Sequence, residues 1–570
     1  MDEKWFVTMK KADFRGIAKQ FQLDPVIARL IHNRDVVGEK NIEKYLHGTL
    51  QDLYDPRLMK DLVKAAEILR QHLKEKKLRI IGDYDIDGIM SSYILWRGLT
   101  RLGAAVDVRI PDRIRDGYGL NERLIREAGE DGIDLIITCD NGIAAAKEIS
   151  LANSLGMVVI VTDHHEVPYE MCGEEKHYTL PPAAAVVDPK QEDCPYPYKG
   201  LCGAGVAFKL ICYMYEEAGI PFSEAEDLLE YTAFATIGDV MDLTDENRII
   251  VREGMERLRR TENLGLQQLI LLNHLEPANV DVYHVGFVLG PCLNASGRLN
   301  TAMHALAMLM AREVDEAAGK AGDLIALNAS RKEMTRRGEE LAAEQVENTA
   351  IGENPVLVIY LPEVHESIAG IIAGRIKEKY YKPVFVITDT EEGLKGSGRS
   401  IEAYDMFAEL NKCKECFTKF GGHKMAAGIS MEKTALEDFR RKINACCTLT
   451  AEDMIQKVSI DLQMPISYVS ENLIRQMEVL KPFGNANTKP IFAERKLSVC
   501  NPRVFGKNRN VVKMLLQDQR GYRIDAVYFG DGDAFADYVS THPQIDITYY
   551  PAIDSYRGRN SLQLTITRYR

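Results

Sequence analysis

Residues 80–92 read IIGDYDIDGIMSS and place three aspartates, Asp83, Asp85 and Asp87, directly after a short apolar run. The apolar run is typical of a buried strand. Carboxylates this close repel one another unless a cation or a set of hydrogen-bond donors stabilises them. The stretch therefore predicts a strand that ends at a ligand site, with aspartates that serve only as helix N-caps as the alternative.

Similar short apolar runs, separated by helix-like stretches, recur along the first half of the chain; they begin near residues 78, 105, 134, 157 and 183. This alternation predicts a parallel sheet with helices on both faces. A second α/β pattern comes later, and the C-terminal segment has the short alternating strands of a small β-barrel. We predict five parts: a helical region at 1–77, a first α/β domain at 78–300, a long connecting helix at 301–350, a second α/β domain at 351–452 and a barrel at 453–570.

Composition bounds the class of protein. A chain of 570 residues is too long for one core, and 46% apolar with 27% charged residues is ordinary for a globular protein. No apolar run reaches the roughly 18 residues that a membrane span needs. The N-terminus lacks a signal-peptide pattern, and the 11 cysteines are scattered. These features predict a cytoplasmic protein without a disulfide framework and without a membrane partner.

The net charge of −13 is unevenly distributed. Residues 481–570 contain 14 lysines and arginines against 8 acidic residues, so the remainder carries a formal charge of −19. This asymmetry favours a C-terminal module that faces a polyanion, with chance unevenness as the alternative.

Acidic and imidazole side chains follow several of the predicted strands. Ligands bind at the carboxyl ends of parallel strands, and the residues at those ends are Asp83, Asp85, Asp87, Asp140, Asp163, His164 and His165, with Asp239 after a helical run. Oxygen ligands with a few imidazoles suit Mn²⁺ or Mg²⁺, and a shared carboxylate would hold two ions about 3.5–4 Å apart. Each residue alone also has a plain structural interpretation, as a cap, a turn or a packed histidine.

The motifs, taken in order, resemble those of the DHH phosphoesterase superfamily. The four superfamily motifs are matched by GDYDIDGIMSS (82–92), CDNG (139–142), TDHHE (162–166) and IGDVMDL (237–243). Matches to its single-strand-specific 5′→3′ DNA exonucleases are LNASGRLN (293–300), KGSGRS (395–400), FGGHKMAAG (420–428) and LKPFGNANTKPIF (480–492). The resemblance implies a parallel-sheet DHH domain, a long helix, a second α/β domain of the DHH-associated type and a C-terminal OB-fold.

The resemblance also implies roles for individual residues. One metal ion would be bound by Asp85 and Asp140, with support from Asp83. The other would be bound by Asp87, Asp140, His164 and Asp239. His165 would face the scissile phosphate.

Six further residues would hold the substrate. Arg298 and His423 would bind phosphates, Arg113 would reach the terminal nucleotide with Tyr118 nearby, and Ser397 and Arg399 would clamp the 5′ end. A structural ion pair for Arg298, a turn at His423 and a core position for Tyr118 are the alternatives. The chain departs from the family pattern at Glu366-Ser367 and in PFGNANTKP (482–490).

The implied activity is single-strand-specific 5′→3′ DNA exonuclease activity in DNA repair and recombination. Two Mn²⁺ or Mg²⁺ ions would assist hydrolysis and 5′-mononucleotides would be released. The expected partners are single-stranded DNA, a single-strand-binding protein and a helicase, and the chain is expected to act as a monomer. Alternatives are a phosphodiesterase of short oligonucleotides or cyclic dinucleotides, a non-catalytic DNA-binding scaffold and an inorganic pyrophosphatase.

Two smaller expectations concern the C-terminal half. An OB-fold binds single strands with basic and aromatic residues, and the candidates are Lys507, Arg509, Lys513, Arg557 and Arg559 with Phe505, Tyr522, Tyr528 and Tyr556. A weak zinc hypothesis rests on Cys413 and Cys416 together with Cys446 and Cys447.

Overall fold

The computed structural model describes residues 3–74, 76–173, 175–554 and 560–570, which form two compact units. The first unit consists of residues 54–241 and 253–456 and contains both α/β domains. The second consists of residues 3–53, 242–252 and 457–570 and contains the barrel. In the described ranges, no helix has both the length and the apolar character needed to cross a membrane.

The N-terminal segment of the second unit begins with a strand, although the sequence predicts only helices there. Strand β1 (Glu3–Val7) pairs with residues 456–460. Aromatic and β-branched residues in EKWFV favour extended backbone, and they outweigh the helical pattern that follows. The predicted helices then appear as α1 (Phe14–Phe21), α2 (Pro25–Asn33) and α3 (Glu39–His47).

A five-stranded parallel sheet forms the centre of the first α/β domain, as predicted. Its strand order is β3-β2-β4-β5-β8, and every apolar run that predicts a strand there forms one. A separate hairpin of β6 and β7, which the sequence reasoning missed, follows β5. The elements are α4 (Leu62–His72), β2 (Leu78–Ile81), α5 (Ile86–Arg101), β3 (Val106–Arg109), α6 (Glu122–Glu130), β4 (Leu135–Cys139), α7 (Ala146–Ser154), β5 (Val158–Thr162), β6 (Tyr169–Cys172), β7 (Glu175–Tyr178) and β8 (Ala185–Val187).

Helices dominate the next part of the chain: α8 (Gly203–Glu217), α9 (Phe222–Glu226), α10 (Leu229–Gly238), α11 (Asp245–Leu258), α12 (Leu264–Leu272), α13 (Val282–His284), a π-helical turn (Val285–Leu289), α14 (Gly290–Leu299), α15 (Met303–Leu309) and α16 (Val314–Asn348). The predicted long helix is α16. It packs against α12 and α14, and also against α17 (Glu366–Tyr380) of the second α/β domain. The predicted helix is interrupted after α15, where Asn263 donates a hydrogen bond to the Leu309 carbonyl.

The second α/β domain contains a mixed sheet with the order β12-β13-β11-β10-β9, in which only β9 and β10 are parallel. Its elements are β9 (Leu357–Tyr360), α17 (Glu366–Tyr380), β10 (Val384–Thr390), β11 (Gly393–Arg399), α18 (Met406–Asn411), β12 (Lys419–His423), β13 (Ala426–Met431) and α19 (Leu436–Ala445).

The barrel closes in the order β16-β17-β18-β20-β19-β16, with β18 and β20 parallel. This is the five-stranded arrangement of an OB-fold. Helices α2 and α3 share one apolar core with it. The elements are β14 (Gln456–Ile460), β15 (Leu462–Gln463), α20 (Glu471–Met477), β16 (Phe492–Phe505), β17 (Val511–Gln517), β18 (Arg523–Phe529), α21 (Gly532–Thr541), β19 (Gln544–Asp554) and β20 (Ser561–Tyr569).

Candidate metal centre

The carboxyl ends of β2, β4 and β5 bring the predicted acidic and imidazole side chains together. Three groups of residues have metal-binding geometry, and within each group the ligand atoms lie within 4.8 Å of one another. The groups are Asp83 with Asp85 and Asp140, Asp87 with His164 and Asp239, and Asp140 with His164 and His165. Asp140 and His164 each belong to two groups. The seven residues named from the sequence as catalytic therefore form one cluster.

His164 lies at the centre of this cluster. Its Nε2 atom is 3.1 Å from a carboxylate oxygen of Asp140, 3.5 Å from one of Asp87 and 3.9 Å from one of Asp239. Burial, followed by the nearby charge of His165, lowers the pKa of His164 to about 3. A neutral imidazole surrounded by carboxylates is a suitable ligand for a divalent cation.

Two helix N-termini position the acidic residues. Asp85 is the N-cap of α5, where its side chain accepts from the backbone N–H groups of Asp87 and Gly88. Across the cluster, α8 begins with Gly203 and Ala204, whose N–H groups donate to the two carboxylate oxygens of Asp87 at 2.6 and 2.8 Å.

Gly203 is required by this close approach. A Cβ atom on residue 203 would lie 2.7 Å from the Cβ atom of Asp140 and 3.1 Å from Oδ2 of Asp87. A side chain there would push apart two of the cluster's carboxylates.

The cluster carries more buried negative charge than the protein itself compensates. Burial, reinforced by the charge of Asp85, raises the pKa of Asp83 to about 8 and that of Asp87 to about 6. Burial and then Asp87 raise the pKa of Asp239 to about 8. Asp83 Oδ2 is buried without a hydrogen-bond partner. Hard divalent cations with oxygen and imidazole ligands fit this site.

Asp163 and Tyr118 orient the His165 ring. Asp163 accepts hydrogen bonds from the backbone N–H groups of His164 and His165 and lies 2.7 Å from Nδ1 of His165. The Tyr118 hydroxyl donates to the Asp140 carbonyl and contacts the same imidazole. Burial acts to lower the pKa of His165, but the hydrogen bond and charge of Asp163 raise it to about 9.

Three arginines converge beside the cluster, where the two α/β domains meet. Arg298 donates to the Ser367 carbonyl, Arg399 donates to the Gly398 carbonyl, and Arg113 lies over the Tyr84 ring. Burial and then the charge of Arg113 lower the pKa of both Arg298, to about 10, and Arg399. Among the described residues, Arg298 and Arg399 donate to backbone carbonyls, which do not neutralise their charge, so these guanidinium groups suit an anionic ligand.

A cavity of about 690 Å³ opens at this place. Arg113 lines it from the first domain, and Ser367, Ser397, Gly421 and Gly428 line it from the second. His423 is exposed at the end of β12, where its ring accepts a hydrogen bond from the Met425 N–H, and it is not part of the cavity lining.

Comparison with known proteins covers the whole chain. Family models match as "DHH family, N-terminal domain" at residues 77–236, "DHHA1 domain" at 353–449 and "RecJ OB domain" at 460–568. The single-stranded-DNA-specific exonuclease RecJ of Bacillus subtilis is 35% identical over 569 residues, which are 99% of this chain and 70% of that protein.

The chain belongs to the RecJ family. The Escherichia coli RecJ is 31% identical, with 96% of both chains covered. The crystal structure of Thermus thermophilus RecJ in complex with Mn²⁺ superimposes with a TM-score of 0.84 at 27% identity, covering all of this chain and 80% of that one. The RecJ architecture thus confirms the predicted fold, including the closed barrel.

Some of the basic and aromatic barrel residues that the sequence suggests for single-strand binding already have partners within the protein. Arg509 is paired with Asp533, and Tyr528 stacks on Phe535, so both have structural partners. Phe505 is exposed, as is Lys513. Tyr556, Arg557 and Arg559 lie outside the described residues.

Three residues with clear contacts were given no role by the sequence reasoning. Asp163, the first letter of the DHH motif, positions His165, and its place in the motif was the available signal. Asp188, at the end of β8, is a buried carboxylate whose pKa burial and Asp163 raise to about 8, and its strand-end position was a signal. Gly203 had no local signal. Among the described residues, no group with metal-binding geometry contains a cysteine, so the zinc hypothesis for Cys413 and Cys416 gains no support.

Proposed function

We propose that this chain is a single-strand-specific DNA exonuclease that works from the 5′ end with two divalent cations, Mn²⁺ or Mg²⁺. One observation carries the proposal: a cluster of carboxylates and histidines lies beside three arginines, and one of them, Arg113, lines the cavity between the two α/β domains. The names of the relatives, single-stranded-DNA-specific exonucleases, support the same activity.

The residues that would hold the cations follow from the groups in the cluster. Asp83, Asp85 and Asp140 would hold one, and Asp87, Asp140, His164 and Asp239 the other, with Asp140 between them. Crystal structures of T. thermophilus RecJ contain Mn²⁺ or Mg²⁺. Bound cations of this kind supply a hydroxide near neutral pH and neutralise the phosphate under attack.

The chain's own residues would then orient the substrate. Asp163 and Tyr118 fix the His165 ring, and the hydrogen bond and charge of Asp163 favour its protonated form by raising its pKa. An imidazolium in this position would stabilise the charge that develops on the scissile phosphate. No covalent intermediate is needed.

Selection of the strand end would depend on the cavity. Arg113 and Arg399 offer guanidinium groups to a terminal phosphate, and Ser397 offers a hydroxyl. Arg298, which bridges the two domains through Ser367, would hold the next phosphate. A terminal phosphate fixed in this way would place the first phosphodiester at the cluster and release 5′-mononucleotides one at a time.

The alternatives fit less well. An enzyme for short oligonucleotides or cyclic dinucleotides, or a pyrophosphatase, has no use for the OB domain at residues 460–568. A non-catalytic scaffold has no need of a complete ligand cluster.

The proposed setting is DNA repair and recombination in the cytoplasm. An enzyme restricted to single strands depends on a helicase to open duplexes, and it meets strands coated by a single-strand-binding protein. We infer both as partners.

The test is a nuclease assay on 5′- and 3′-labelled single strands and duplexes, with Mn²⁺ and Mg²⁺ in turn. We expect release of labelled mononucleotide from the 5′ end of the single strand, and intact duplex. Release from the 3′ end first would overturn the polarity, and equal degradation of the duplex would overturn the strand preference.

A further inference from the structure

Two large aromatic side chains are exposed close to the metal centre. Tyr283 is 61% exposed and Phe287 68% exposed. Their rings stack on each other with centroids 5.1 Å apart and planes 29° apart. Exposed rings of this size mark binding sites when they form a patch rather than occurring singly.

The local sequence explains why the two rings are presented to solvent. A continuous helical run extends from Val282 to Leu299, and Pro291 lies inside it. Proline cannot donate the usual helical hydrogen bond, and its ring clashes with the carbonyl four residues earlier. The run opens into a π-helical turn at Val285–Leu289, which is separated from the proline by Gly290 alone. Such turns occur frequently at functional sites.

The π-helical turn that carries the two rings is held in place by buried side chains. Val285 and Leu289 of the π-helical turn are fully buried, so the turn is anchored while Tyr283 and Phe287 face outward. The same helical run carries Arg298 near its other end, beside the cavity that we assign to phosphates.

The aromatic pair is connected to the metal centre by direct packing. Ile86, between Asp85 and Asp87, contacts the backbone at Gly290 so closely that a Cβ atom there would lie 3.0 Å from its Cδ1. The π-helical turn also packs against α10. Asp239 directly follows α10, and the next residue, Val240, is 67% exposed. Apolar packing of Ile86 and of α10 against the helical run therefore links the cluster to the segment that carries the two rings.

We propose that Tyr283 and Phe287 form a stacking platform for nucleobases of the single strand next to the nucleotide being cleaved. This inference rests on the proposed function and adds to it the residues that recognise unpaired bases. Every base has a π-face, so stacking tolerates any sequence. Bases inside a duplex are already stacked on one another, so the platform favours single strands over duplexes.

The test compares Tyr283→Ala, Phe287→Ala and the double variant with matched controls. Phe222→Ala and Tyr169→Ala remove exposed aromatics, 46% and 47% exposed, that lie elsewhere. Phe222 begins α9, whose Glu224 pairs with Arg101 at the end of α5 opposite the metal centre. Binding of fluorescein-labelled (dT)₃₀ is measured by anisotropy in the presence of chelator, and KM and kcat are measured with metal.

We expect each platform variant to weaken binding and raise KM for the long strand by about 5- to 150-fold, the usual range for a lost stacked base. The kcat for the long strand and the melting temperature should be unchanged, and the control variants should behave as wild type. Phe287→Trp should keep the affinity, and its fluorescence should change when the strand binds.

Unchanged strand affinity in the double variant would overturn the platform, and would leave a protein partner as the ligand of the two exposed rings. Tryptophan fluorescence of Phe287→Trp that does not change at saturating DNA would also overturn it. The outcome is separable from the proposed function, because the proposed function is tested by the nuclease assay on the wild-type enzyme alone.

Discussion

At the scale of single residues, the central fact is that charge is concentrated where water is excluded. Asp83, Asp87 and Asp140 are each no more than 2% exposed, yet all three point into one cluster with His164. Such an arrangement costs free energy unless cations compensate it. The fold is therefore less stable without cations bound to this cluster than with them.

Asp140→Ala should abolish metal-dependent cleavage, by at least about a thousandfold, because loss of the carboxylate between the two ion sites removes several kcal/mol of transition-state stabilisation. Binding of a single strand should persist, since the arginines of the cavity are untouched. Both are measured with the labelled strand, with Asp438→Ala on the surface of α19 as control. Manganese-dependent cleavage at wild-type rate in Asp140→Ala would contradict the assignment.

At the scale of elements, the α8 N-terminus helps to position the side chains that the strand ends supply. Its first two N–H groups hold Asp87, and Gly203 admits them only because it has no side chain. The long helix α16 acts differently, because it packs against elements of both α/β domains. Neither helix contributes a side chain to the metal-binding groups of the described residues, yet both help to position them.

Gly203→Ala should therefore reduce divalent-metal affinity and cleavage together, by at least about tenfold, although residue 203 carries no ligand. Metal affinity is measured by calorimetry and cleavage by the nuclease assay. Gly205→Ala is the matched control on the same helix, because the atoms nearest to a Cβ there belong to the Leu201 side chain, at 3.2 Å and beyond, and not to the cluster. Equal metal affinity in the two variants would show that the cluster tolerates the added methyl group.

In α16 two glycines should respond with opposite signs. A Cβ atom on Gly319 meets nothing within 4 Å, so Gly319→Ala should raise the free energy of unfolding by about 0.5–1 kcal/mol through helix propensity. A Cβ atom on Gly338 would lie 2.4 Å from the Ile372 side chain of α17, so Gly338→Ala should lower the free energy of unfolding. Denaturant titration of both variants distinguishes this from a general glycine effect, in which both would be stabilised.

The elements also show what the sequence can and cannot predict. The parallel strands can be predicted from the sequence because they are short, continuously apolar and bounded by turns, and their ends predict which carboxylates meet. Strand β16 cannot be predicted in this way, because charged residues interrupt it and its register shifts between Cys500 and Arg503. The contact of Gly203 with Asp87 joins residues 116 positions apart and leaves no local pattern.

At the scale of the whole molecule, stability, pH and metal are linked. Burial raises the pKa values of Asp83 and Asp239 to about 8, against roughly 3.9 in an unfolded chain. For a carboxyl group shifted upward, the stabilising contribution is complete below the unfolded pKa and is lost as the pH rises through the folded one. Bound cations remove this loss, because they favour the ionised form.

The gap in melting temperature between Mg²⁺-loaded and chelated protein should therefore widen from pH 6 to pH 8.5. Thermal melts across this range, with and without chelator, measure it. In Asp83→Asn/Asp239→Asn the chelated protein should lose much of its pH dependence. A gap that narrows as the pH rises would contradict the linkage.

The shared core of α2 and α3 with the barrel has a consequence for how the chain is made. Ile27 and Leu30 pack in one core with residues such as Leu516 and Tyr549, which leave the ribosome several hundred residues later. At about 5–20 residues per second, the early helices wait roughly 20–100 s for their partners. During that interval their apolar faces are exposed to the cell, so these two helices are among the last elements to acquire their native packing and are natural clients for a chaperone.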